Sequence, residues 1–155
     1  MGVVPRGEIV EDAGLTLNNG VVTDEYLATS SPGVFAAGDV ASVWHPLLSR
    51  RIRLEHWSSA LNQGPVAAKN MLGVPTRYER IPYLFSDQYD VGMEYSGYAV
   101  DWNEVVFRGD PTTRVFIAFW LKDGQLAAGM NVNVWGVAEP IAALVASQRP
   151  VDVTR

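Results

Sequence analysis

Two short stretches of this sequence carry residue types that could bind a ligand or take part in a reaction. The first is Gly38-Asp39, which follows the apolar run Val34-Phe35-Ala36-Ala37. A carboxylate is an acceptor-only group, suited to hydroxyl and N–H donors, and a glycine beside it lets another backbone or a ligand come close. If the apolar run is a buried strand, the acid stands just past its carboxyl end, in the crevice where open α/β sheets bind ligands. The same carboxylate could instead cap a turn or a short helix, and spacing alone leaves both roles open. The second stretch holds Arg50, Arg51 and Arg53, the one basic cluster in a chain of net charge -5. Such a concentration could dock an acidic partner or be the solvated edge of a loop or strand.

What is missing narrows the chemistry. The sequence has no cysteine, which excludes disulfides, thiolate catalysis and metal sites built on thiolates. It has two histidines, His45 and His56, too few for a multi-histidine metal centre. No G-x-G-x-x-G or G-x-x-x-x-G-K-[ST] turn is present to cradle a phosphate, and no serine stands in a G-x-S-x-G elbow. A self-contained hydrolase is therefore not expected. The acidic balance argues against a nucleic-acid partner. No apolar stretch approaches the roughly 20 residues of a membrane span, and the start lacks a signal-peptide pattern, so a cytoplasmic protein is expected.

The elements that must position these residues fall into two parts that meet near residue 75. The 155 residues, 48% hydrophobic and 19% charged, suit one globular domain or two small ones. In residues 1–75 the Asn18-Asn19-Gly20 turn precedes a short strand over 20–24, and a second strand is expected at 34–37. Helical spacing of Ala60, Leu61, Gly64, Ala67, Ala68 and Met71 predicts a helix over 58–72, with Ser58 as its cap and Gly73 and Pro75 ending it. Pro65 removes a backbone donor, so a kink or break is expected at Gly64-Pro65. Residues 76–155 read as antiparallel strands at 93–98, 105–108, 115–121 and 126–134, then a helix over 137–147. Lys122-Asp123-Gly124 is a strong hairpin signal, because Asp-Gly tolerates positive φ.

Three segments, "TSSPGVFAAGDVA" (29–41), "RLEHWSSALNQG" (53–64) and "IPYLFSDQYDVGMEYSGY" (81–98), occur in this order and together resemble the carboxyl-terminal part of the FAD-dependent, NAD(P)H-dependent ferredoxin reductases. That family includes the rubredoxin, putidaredoxin and biphenyl-dioxygenase ferredoxin reductases and is related to apoptosis-inducing factor. The resemblance implies an α/β fragment of a Rossmann-like FAD-binding domain over 1–75. An α+β carboxyl-terminal domain, an antiparallel sheet with a helix, follows over 76–155. It places the family's two G-x-G-x-x-G turns ahead of residue 1.

By the same resemblance Gly38 and Asp39 approach the ribityl chain of FAD, and Glu55, His56 and Trp57 lie against the isoalloxazine at the start of a helix. Without it, Trp57 reads as a core aromatic and Glu55 as a surface acid. His56 is not expected to act as an acid or base, because hydride transfer from nicotinamide to flavin needs none. Phe85 stands where the family often has Trp, as a wall beside the nicotinamide or as a core aromatic at the seam of two domains. Arg50, Arg51 and Arg53 would face an acidic ferredoxin-type electron carrier. The intact enzyme would use FAD and NAD(P)H, whereas this chain alone is expected to bind neither, to be inactive and to form a homo-oligomer through residues 1–75. The alternative is a non-catalytic docking or self-association module.

Overall fold

The computed structural model describes residues 4–152, which divide between Arg80 and Ile81 into two compact units. The first is α/β. A short helix α1 (Glu8–Asp12) precedes a three-stranded sheet of order β1-β2-β3, formed by β1 (Val21–Thr23), β2 (Ala41–His45) and β3 (Arg50–Ile52). β1 runs parallel to β2, with Val21 opposite Ala41, and β3 returns antiparallel, with Trp44 opposite Arg51. Helix α2 (Trp57–Met71) follows. Leu27, Ala41, Val43, Ala67 and Tyr78 form the buried cluster that joins sheet and helix.

Several expectations change here. Residues 34–37 do not form a strand; Phe35 makes a single bridge to Ala28. The run is apolar because Phe35, Ala36 and Ala37 pack against the core cluster, while its backbone closes a local loop through Thr29 N–H to the Val34 carbonyl at 2.9 Å. Asp39 therefore sits in a turn that leads into β2 rather than at a strand's end. Helix α2 runs from Trp57 to Met71 with Pro65 inside it, so of the expected kink or break, the break does not occur. Only the Leu61 carbonyl loses its donor to Pro65, and Leu61 lies on the solvent side, where water can take that place. The helix also turns another face inward than its apolar spacing suggests. Ser58, Ser59, Gln63 and Ala67 are buried, while Leu61 and Met71 are exposed.

His45 ends β2 with no solvent exposure, its ring edge-on to Tyr78. Its Nδ1 accepts from Leu48 N–H at 3.3 Å, so Nε2 carries the proton and donates to the Arg80 carbonyl at 3.0 Å. Burial holds its pKa below the ordinary histidine value, against the opposing pull of that carbonyl and of Glu79.

The second unit is α+β. Its antiparallel sheet has the order β4-β5-β8-β7-β6, from β4 (Tyr83–Gln88), β5 (Val91–Gly97), β6 (Glu104–Asp110), β7 (Val115–Lys122) and β8 (Gln125–Val132). Asp123 (φ 50°) and Gly124 (φ 80°) make the expected tight hairpin between β7 and β8. Helix α3 (Ala138–Ser147) lies on the sheet at Gly129, where a Cβ would come within 2.7 Å of Ile141. Ile117, Leu121, Leu126, Val132, Ile141 and Val145 are among the buried apolar residues of this unit. Among the described residues no helix is long and apolar enough to cross a membrane, and no cluster of His, Asp and Glu could hold a metal ion.

Candidate functional site

Gly38 opens a turn closed by Ala41 N–H to its own carbonyl at 2.9 Å. Its φ of +82° favours glycine, and an added Cβ would stand 3.4 Å from the Cβ of Ala60 on α2. The turn is fastened to the helix a second time, because Gly38 N–H donates to Gln63 Oε1 at 2.7 Å in a buried bond. With its backbone held, Asp39 presents its side chain to solvent. The Asp39 carbonyl accepts from Arg53 Nη1 at 3.0 Å.

Residues 55–57 start α2 at the same place. The Arg53 guanidinium that holds Asp39 also donates through Nη2 to Glu55 Oε1 at 2.5 Å. His56 is extended, with φ -136° and ψ 141°, and its Nδ1 accepts from Ser58 N–H at 3.2 Å. The cap is thus His56 and not Ser58, which is buried one step inside the helix and accepts at its carbonyl from Asn62 Nδ2 at 2.7 Å. An imidazole serves as well as a hydroxyl here, because the position needs only an acceptor aimed at the second helical N–H. Trp57 is 65% exposed, so it is not the core aromatic that its residue type suggests.

Gly38, Asp39, Glu55, His56 and Trp57 therefore share one region of the first unit: an exposed carboxylate, a helix start and an exposed indole. Phe85 stands on β4 in the second unit, 42% exposed and opposite Glu94. The arginines part company. Arg51 reaches across β2 and donates to the carbonyls of Thr23 at 2.6 Å and Ser42 at 2.5 Å, and Arg53 is turned inward as described. Arg50, half-buried on β3 opposite His45, keeps no such role.

Two residues of this region escaped sequence reasoning. Gln63 stands one helical turn before Ala67, and a polar residue on that side of the helix was a usable signal. Gly20 has φ +116°, and a Cβ there would meet the Val40 carbonyl at 2.5 Å and the Arg53 stem at 2.8 Å. Its place in an Asn-Asn-Gly turn conceals that second duty.

Comparison with known proteins gives a consistent picture. Residues 1–107 match the family model described as pyridine nucleotide-disulphide oxidoreductase, and residues 83–155 match one described as reductase C-terminal. The ferredoxin–NAD(+) reductase component of the anthranilate 1,2-dioxygenase system of Burkholderia cepacia is 40% identical over 135 residues, which is 86% of this chain and 33% of that protein. Putidaredoxin reductase of Pseudomonas putida is 32% identical over 133 residues, 86% of this chain and 32% of that protein. The crystal structure of a covalent putidaredoxin reductase–putidaredoxin complex superposes with a TM-score of 0.91 at 30% identity, covering 97% of this chain and 36% of that one. The chain thus spans about a third of the length of the curated relatives it matches.

Proposed function

This chain belongs to the pyridine nucleotide–disulphide oxidoreductases, and on that premise we propose that it is the carboxyl-terminal portion of a flavoprotein that passes electrons from NAD(P)H through FAD to a ferredoxin-type iron–sulfur protein. The observation that carries this reading is the Gly38–Asp39 turn, pinned to α2 by Gln63 and Ala60 with its carboxylate left in solvent. An exposed acceptor held on a rigid turn fits a polyhydroxyl chain, and the adjacent helix start supplies a positive dipole end that favours the charge of a reduced flavin ring. When bound, FAD supplies hydride acceptance and single-electron release, and the protein supplies position and field.

In this reading Asp39 accepts from the ribityl hydroxyls, residues 55–57 lie along the flavin ring, and Phe85 forms part of the nicotinamide-side wall. Arg50 is what remains of the basic cluster for an acidic electron carrier, and the relatives' printed roles support such a partner. The exposed Trp57, Leu61 and Met71 support self-association of the isolated chain through its first unit, and the absence of a membrane-crossing helix among the described residues fits a cytoplasmic enzyme.

The test compares this chain with the intact reductase that carries it. Charge-assisted hydrogen bonds contribute about 1.5–3 kcal/mol each, so Asp39→Ala in the intact reductase should raise the FAD Kd about ten- to a hundredfold. The isolated chain should be colourless and should not oxidise NAD(P)H. An intact protein that holds no flavin, or an isolated chain that is yellow and is bleached by NAD(P)H, would overturn the proposal.

A further inference from the structure

We propose that Arg53 is a positioning residue for the cofactor site, a fork that works beside the Gln63 bond to tie the Asp39 turn to Glu55, just ahead of α2. The inference rests on the flavin reading above and concerns a residue that touches neither end of the ligand in that reading.

Four observations converge on it. The Arg53 side chain is only 10% exposed, although arginine is among the residues most often left in solvent. Its two terminal nitrogens go to different segments, Nη1 to the Asp39 carbonyl at 3.0 Å and Nη2 to Glu55 Oε1 at 2.5 Å. Its stem runs over Gly20, where a Cβ would stand 2.8 Å from Cδ and 2.5 Å from the Val40 carbonyl, so stem and strand start are closely packed. Its Nε is buried without a hydrogen-bond partner.

The last point distinguishes this arrangement from one that serves stability alone. A buried donor left unpaired is costly, and an apolar side chain of the same length would fill the slot without that cost. What an apolar residue cannot do is donate to a carbonyl and a carboxylate at once. Lysine cannot do it either, because a single ammonium lacks the fixed fork. The bond to Asp39 uses the backbone oxygen, so the residue's carboxylate stays available. Arg53 thus fixes where that acceptor stands relative to residues 55–57, and a fixed separation is what a ligand with a chain at one end and a ring at the other requires.

The experiment uses the intact reductase with Arg53→Met and Arg53→Lys, each also combined with Asp39→Ala. The readouts are FAD Kd from flavin fluorescence, the visible circular dichroism of bound flavin, and the melting temperature of the apoprotein. Misplacing one end of a bidentate site should raise the FAD Kd about tenfold in both variants and change the flavin dichroism. Arg53→Lys, which keeps the stem and the charge, should retain the melting temperature, so it carries the reading if Arg53→Met fails to fold. In the Asp39→Ala background either change should cost much less than it does alone, because its effect runs through that acceptor. Native affinity with unchanged dichroism in Arg53→Lys, or losses that simply add to that of Asp39→Ala, would overturn the proposal. A parent protein that holds no FAD fails the functional reading instead, a distinct outcome.

Discussion

Acidification should loosen the β2–β3 hairpin of the first unit through one residue, His45. The ring is fully enclosed and neutral, with Nδ1 receiving the Leu48 N–H and Nε2–H given to the Arg80 carbonyl. A proton on Nδ1 would set two donors against each other and abolish the Leu48 bond. Burial lowers the folded-state pKa, so the unfolded chain takes up the proton first as pH falls. The stability this histidine contributes is therefore complete above the unfolded value of about 6.5 and declines as pH drops below it. One proton sets the ceiling on that decline at about 1.4 kcal/mol per pH unit, so between pH 6.5 and 5.5 the loss is at most about 1.4 kcal/mol. Urea midpoints at pH 7.5 and 5.5 would read the effect, and amide exchange at Leu48 would localise it. His45→Asn should be less stable at pH 7.5 by about 1–3 kcal/mol, since it leaves the Arg80 carbonyl without its donor, yet it should lose little more at pH 5.5. Equal midpoints for the parent at the two pH values, or the same acid loss in His45→Asn, would refute the argument.

Two further outcomes follow from geometry already described. Pro65→Ala restores a donor to the Leu61 carbonyl without disturbing any buried contact, and it should raise stability by about 1–3 kcal/mol in urea melts. A lower midpoint would show that the proline ring contributes packing that its exposure conceals. Tyr83 donates to Glu94 Oε1 at 2.7 Å, and burial first, then that bond and the charges of Glu94, Asp87 and Glu139, push its pKa up to about 12. In an ultraviolet titration it should ionise at the alkaline end of the curve, and Tyr83→Phe should remove absorbance change from that end and leave the rest unchanged.

The second unit was the more legible half, because its elements obey local rules. Val115–Leu121 and Leu126–Val134 are rich in strand formers and flank an Asp-Gly pair, and turn chemistry of that kind fixes pairing without help from distant residues. The first unit hides its sheet. Inside β2 the buried positions include Ser42 and His45, and β3 is Arg50-Arg51-Ile52, so neither shows an apolar alternation. Their polar groups are satisfied by partners far along the chain, as when Arg51 meets Thr23. The run at 34–37 misled in the opposite sense, since packing against a core makes a loop apolar just as it does a strand. At the site, the Gly-Asp pair was visible by residue type. The fork of Arg53 was not, because its targets are a backbone carbonyl and a nearby glutamate, and a basic residue in a basic cluster looks the same whether it points out or in.

The hairpins of the second unit also set a timetable. β4 and β5 are joined through Tyr89-Asp90, and β7 and β8 through Asp123-Gly124, so each pair can close without waiting for the rest of the chain. Such hairpins zip in roughly 1–10 μs. The central ladder, which sets Met93 beside Val132 and Glu94 beside Asn131, must then bring two finished ribbons together across residues 98–114, which include β6, and the entropy of that closure falls on a later step. Helix α3 has nothing to lie on until Gly129 of β8 and Ser96 of β5 stand side by side, since its first turn is held by the Ser96 hydroxyl to the Ala138 carbonyl at 3.2 Å. The ribbons come first, their union second, and the helix that seals the sheet last.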